Sequence, residues 1–166
     1  MSKKLPPRDP IRAYQRKATA LRRIGENKKC ETCGETRPEA LITGSEPIIC
    51  AKCERKKRGR STLDAHHVAG ESNSAATISI PVNDHRARLS PDQYDWPKET
   101  LENPNRSPLL AAAACIRGFL DMLAYLAEKF LSWIPEMLET LDATLVKLHG
   151  PKWWRKTDLQ KFSPKR

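Results

Sequence analysis

Four cysteines constrain the chain more than any other feature. "CETC" (Cys30, Cys33) and "CAKC" (Cys50, Cys53) are separated by sixteen residues, within the spacing of a four-cysteine zinc site. Two residues between thiolates form a tight turn that aims both sulfurs at one ion, and two such turns complete a tetrahedron with ligands about 2.3 Å from the metal. Gly34, directly after the first pair, supplies the backbone freedom that such a knuckle often uses. Two disulfides or free buried thiols are the competing reading. A closed four-thiolate site leaves no position for water, so the expected zinc is structural and replaces core that a short chain lacks.

Composition sets the context. The chain has 166 residues, 39% of them hydrophobic and 6% aromatic, which allows one ordinary domain or two small ones with a modest core. Thirty Lys and Arg against twenty Asp and Glu leave a formal charge of +10, which points to a polyanionic partner, nucleic acid ahead of an anionic membrane surface. The opening "MSKKLPPRDPIRAYQRK" has no apolar run behind its first lysines, so no secretory signal is read there and a cytoplasmic location is expected. Thiols stay reduced in that compartment, which favours metal over disulfides. The fifth cysteine, Cys115, sits in an alanine-rich helical run and reads as a small core residue.

Six stretches follow from pattern and punctuation. Residues 1–28 predict a basic helix with Asp9 as N-cap, Pro10 at N1, Ile11, Tyr14, Ala18 and Leu21 on one face and Gly25 as the stop. Its other face carries Arg12, Arg16, Arg22 and Arg23, either a solvated surface or a clamp on a phosphate backbone. Residues 29–57 form the cysteine module, which leads into "ERKKRGRS", five positive charges against one negative. Here Arg55, Lys56, Lys57, Arg58 and Arg60 are candidate DNA contacts. In residues 58–97, "STLDAHHVAG" reads as a strand ending at Gly70, "ATISIPV" as a second strand, and "NDHRARLS" as the start of a helix capped by Asn83. His85 then falls in the first helical turn, facing His66 and His67 across the hairpin.

A cysteine-knuckle pair followed by "HHVAG" and "VNDHR" resembles the HNH endonucleases, whose core is the ββα-metal motif. The resemblance covers about Lys29 to Ser90. It implies an α+β fold in which a zinc-ribbon-like module precedes a ββα core. It also implies that His66 and His85 are ligands of a catalytic divalent ion, Mg²⁺ or Mn²⁺, and that His67 is the general base. The asparagine that braces the hairpin in that family is expected near Ala76 or Thr77, and neither is asparagine. Thr77 is the replacement by position, with Asn73 and Asn83 as further candidates.

The chemistry can be reached without the family. Hydrolysis of a phosphodiester needs a deprotonated water and positive charge near the leaving oxygen. An imidazole, with an ordinary pKa of about 6.5, suits the proton transfer near neutral pH. Asp64, two residues before His66 and on the same side of a strand, is expected to orient that ligand or to join it on the ion.

After a proline-rich linker over 98–107, Ser107 and Pro108 make an N-cap and N1 pair. An apolar run of about 26 residues follows, ~39 Å long as a helix. The charges of Arg117, Asp121, Glu128 and Lys129 argue against a membrane span, and the helix is expected to be nearly surrounded by protein. Ile134 and Pro135 predict a break into a second helix that ends at Gly150, so that 108–150 forms a helical hairpin. This hairpin is expected either to pack on the core or to join a second copy of the chain or a protein partner. The tail, 151–166, mixes Trp153 and Trp154 with basic residues, for stacking on bases or for covering the helix end. The function expected is metal-dependent cleavage of DNA, with RNA not excluded. The alternative is a zinc-stabilised nucleic-acid adaptor or regulator that performs no chemistry.

Overall fold

The computed structural model describes residues 10–162, and the chain divides into one unit up to Tyr125 and another from Leu126. Asp9, the expected helix cap, and the side chain of Arg12 lie outside the described residues. Helix α1 spans Pro10–Ile24 and stops at Gly25, whose φ of +94° is the left-handed stop that glycine adopts without strain. Among its described side chains, the half-buried apolar ones, Ala18, Ala20, Leu21 and Ile24, lie toward the C-terminal end. Ile24 packs on the cysteine module, whereas Ile11 and Tyr14 are exposed.

The cysteine module contains a short 3₁₀ turn, Pro38–Ala40, and helix α2, Ala51–Lys57. Leu41 bridges Cys50, which brings the two knuckles together around a core of Cys30, Leu41 and Cys50. Strands β1 (Leu63–His67) and β2 (Thr77–Pro81) then form an antiparallel hairpin with His66 opposite Ile78 and His67 opposite Thr77. The chain turns directly from β2 into a helical stretch built of α3 (Val82–Asp84), a π-turn (His85–Leu89) and α4 (Ser90–Tyr94). Among the described residues the fold is therefore mixed, with one two-stranded sheet and a majority of helix.

Residues 98–107 are a structured part of the molecule rather than a bare linker. They contain α5, Lys98–Glu102, and they bury Thr100 and Asn103. Helix α6, Pro108–Leu131, starts at the expected Ser107–Pro108 pair. Its packing is the reverse of expectation. Ala114, Gly118, Asp121 and Tyr125 are buried, whereas Leu109 is 81% exposed and Ile116, Phe119, Leu120 and Leu123 also face outward. The helix docks by its small and polar positions. Gly118 lies against the Val68 carbonyl, and Trp96 Nε1 donates to Asp121 Oδ2 at 2.9 Å, giving a buried indole N–H the acceptor it needs. The large side chains project away because only the glycine face permits this close approach. Cys115 is likewise exposed, not a core residue. By length and composition Pro108–His149 is apolar enough to cross a membrane, a property shared by many helices that dock on a protein core.

In the second unit, α7 spans Trp133–His149 and has no buried residues. Only Ser132 separates it from α6, and the Ser132 backbone is itself right-handed helical. Within this unit the expected break at Ile134 and Pro135 is not a reversal of the chain, because a helical hairpin needs a loop of about two to five residues. Pro135 falls in the first turn of α7, where its missing N–H has no intrahelical partner to lose. Trp153 Nε1 donates to Asp142 Oδ1 at 2.9 Å, so this part of the tail covers α7.

Gly118 offers a direct check of the α6 docking. Alanine normally stabilises a helix interior by about 1 kcal/mol over glycine, but here the added Cβ would stand 1.7 Å from the Val68 carbonyl oxygen. Gly118→Ala should therefore lower stability, by roughly 1–3 kcal/mol as for other overpacked sites. A thermal melt in which the variant gains stability would contradict the docking.

Candidate metal and phosphodiester site

The four cysteines form a compact donor set. All four sulfurs lie within 4.8 Å of one another, and Cys33 Sγ stands 3.6 Å from Cys50 Sγ. A disulfide would need about 2.05 Å, whereas a thiolate tetrahedron around zinc has edges of about 3.8 Å. Local structure makes the set. Gly34 takes φ +75° and its N–H donates to Cys30 O, closing the first knuckle. Cys50 caps α2, its sulfur accepting from Cys53 N. Burial pushes the Cys30 thiol up, but backbone N–H groups at residues 50, 33 and 32 outweigh it and leave the thiol at about 6. Cys53 moves upward, through burial and then through its three neighbouring sulfurs. One sulfur ionises readily while Cys33 and Cys53 resist adding charge beside it, a conflict that a divalent cation removes. The residues fit zinc.

The three histidines are held in a second cluster. His66 is buried and its ring centroid lies 5.2 Å from that of His85, at an interplanar angle of 69°. Two imidazoles sharing one ion through bonds of about 2.1 Å place their centroids roughly 5 Å apart. His85 Nδ1 lies 3.0 Å from Asp64 Oδ2. Burial pushes the Asp64 carboxyl up, but His85 and Arg55 together bring it below its ordinary value. A carboxylate can only accept, so Nδ1 carries the proton and Nε2 keeps its lone pair. Asp64 thus orients His85, not His66 as expected from strand spacing, and Arg55 Nη1 holds the other carboxylate oxygen at 2.5 Å. Among the described residues the cysteines are the one group of three or more donors close enough to share an ion, and the contact that Asp64 makes in this cluster is to His85.

His67 is fixed by the same logic. Its Nδ1 lies 3.1 Å from the Ser74 backbone oxygen, and a carbonyl only accepts, so the free Nε2 is the basic nitrogen. The Ser74 loop is braced in turn. Asn73 Nδ2 donates to Thr100 O at 2.9 Å, and Asn73 Oδ1 accepts from Asn103 Nδ2 at 2.9 Å. Gln93 Nε2 donates to the His67 carbonyl. Thr77 is exposed opposite His67, and the bracing belongs to Asn73 and a backbone carbonyl. Asn83 does not cap its own helix. It is buried inside α3, accepts from Lys52 N in the first turn of α2 at 2.9 Å, and donates to Glu35 Oε2 at 3.1 Å.

The basic residues divide into two kinds. Arg16 pairs with Asp95 through two bonds of 2.6 Å, which raises its pKa. Arg55 is engaged by Asp64, and Arg58 by Glu54. Arg22, Arg23, Lys56, Lys57 and Arg60 stand exposed, as does Arg86, one residue after His85 and absent from the residues singled out by sequence. Its signal was available, since it completes "NDHR" in a basic chain. No family model matches the chain, and no curated protein and no solved structure is significantly similar to it.

Two expectations follow. Cys50→Ser should abolish stoichiometric zinc and unfold the module, since binding contributes about 10 kcal/mol or more to folding in small zinc modules. A folded, zinc-free variant would refute the metal assignment. The second concerns acid. Burial, and then the nearby His85 and His67, bring His66 down to about 4, whereas an unfolded histidine titrates near 6.5. The unfolded chain therefore takes up a proton that the folded chain refuses. This contribution to stability is present above about pH 6.5 and is lost progressively as pH falls toward 4. Urea midpoints measured without added Mg²⁺ or Mn²⁺ should fall across this window, and less steeply for His66→Gln.

Proposed function

We propose that the chain is a metal-dependent nuclease of the HNH kind that hydrolyses phosphodiester bonds in DNA. The observation that carries this reading is the histidine cluster. His66 and His85 face each other at ligand spacing, and the adjacent His67 is locked with Nε2 free. In this reading His66 and His85 hold a divalent ion such as Mg²⁺ or Mn²⁺, which when bound supplies positive charge to the scissile phosphate and the leaving oxygen. His67 Nε2 takes the proton of the attacking water, and its Nδ1 bond to Ser74 O steadies the imidazolium that results. Asp64 keeps the His85 lone pair on Nε2, and Arg55 keeps Asp64 in place. The cysteine module is structural and carries the helices that hold these groups.

Nicking of supercoiled plasmid, followed against Mn²⁺ concentration, tests the roles. His67→Ala should leave fold and DNA binding in place while slowing cleavage by roughly 10² to 10⁴, the usual worth of a positioned base. His66→Ala and His85→Ala should lose activity at low Mn²⁺ and recover part of it at high Mn²⁺, as mass action refills a weakened site. Excess Mn²⁺ should not rescue His67→Ala. If the parent binds DNA and never nicks it, the nuclease reading fails and a non-catalytic adaptor replaces it.

A further inference from the structure

Two open clefts flank the helix that carries His85, and one residue belongs to both. The first, of about 360 Å³, lies between α2, the loop joining the cysteine knuckles, and the π-turn, and its walls include Arg55, Arg58, Arg60 and Arg86. The second, of about 550 Å³, lies between α1 and the helix of His85, and is lined by Arg16, Arg23, Glu39 and Arg86. Arg16 and Arg55 are occupied by Asp95 and Asp64, and Arg58 is held by Glu54. Arg23, Arg60 and Arg86 enter no ion pair among the described residues. Three uncompensated guanidinium groups therefore lie along one route, with Arg86 in the middle and next in sequence to His85.

We infer that Arg23, Arg86 and Arg60 form a track for successive phosphates of one nucleic-acid strand, with Arg86 as the residue that delivers the strand to the histidine cluster. The inference rests on the reading of that cluster as a phosphodiester site. A row of cations spread over two clefts suits a repeating polyanion better than a single small anion, because neither cleft is lined by all three arginines. No aromatic ring lines either cleft, so the walls offer no surface on which bases stack. Arginines directed at phosphates carry no sequence information. The contact is to the backbone and independent of sequence. Arg16 and Arg55, which sequence alone places among the DNA contacts, act instead as struts for α1 and for Asp64.

The test is the salt dependence of binding, measured by fluorescence anisotropy with zinc-loaded protein, two short duplexes of unrelated sequence, and no Mg²⁺ or Mn²⁺. Each neutralised phosphate contributes about 0.9 to the slope of log affinity against log salt on duplex DNA. Arg86→Gln, Arg23→Gln and Arg60→Gln should each reduce the slope by about one, equally for both duplexes, and Lys98→Gln, at an exposed position of α5, should not. Because the three arginines lie on different elements, misfolding of one variant would leave the other two informative. The track is overturned if the three variants keep the parent slope, if the loss is confined to one duplex, or if the parent binds neither duplex. A parent that shows these slopes but never nicks plasmid would sink the nuclease reading and leave the track standing. Nicking with unchanged slopes in the variants would do the reverse.

Discussion

The placement of His85 depends first on one polar junction between the cysteine module and the helix that carries it. Arg37 grips the Glu35 carboxylate at 2.8 and 2.7 Å and reaches Asp84 Oδ1 at 2.9 Å, while Tyr125 donates to Asp84 Oδ2 at 2.8 Å. Asn83 completes the junction by bonding both Glu35 and the first turn of α2. Arg37 brings the Glu35 carboxyl down to about 2, so the junction stays charged through the physiological range. Asn83 and Asp84 immediately precede His85. A geometry set by four sulfurs is thereby transmitted, through two consecutive buried polar residues, to a histidine more than thirty positions from the last cysteine.

A second strut runs in parallel. Arg55 on α2 holds Asp64 on β1, and Asp64 holds His85. Because the same carboxylate is tied to β1, it also sets the distance between the hairpin and the helix, and therefore between His66 and His85. His67 is stabilised from the opposite side, through Ser74, Asn73 and the residues around α5. His85 and His67 are thus held by different parts of the fold.

Much of the architecture was legible locally. The C-x2-C pairs, the Gly25 stop, the two short strands and the Ser107–Pro108 helix start all express backbone preferences that operate within a few residues. The reversal of α6 was not legible, because periodicity shows that a helix has two faces without showing which one docks. The usual assumption that large apolar residues point inward fails where a glycine permits backbone contact and a buried indole needs a carboxylate. The helical hairpin failed for a related reason. Pro135 marks a helix boundary, but a proline in a first turn fits equally well in a chain that resumes its helix after one residue.

The sequence by itself determined which atoms were available: four thiols at zinc spacing, a histidine doublet on a strand and a third histidine at a helix start. Tertiary structure alone decided what those atoms do. It assigned Asp64 to His85, Asn83 to α2 and the brace of His67 to the Ser74 carbonyl, and it separated arginines that stabilise the fold from those that remain uncompensated. The physical reason is the range of the interactions. Knuckles, caps and strands follow from neighbouring residues, whereas a hydrogen bond between groups on different elements, seven positions apart for His67 and Ser74 or 48 for Asn83 and Glu35, depends on how those elements meet, and spacing along the chain does not encode that meeting.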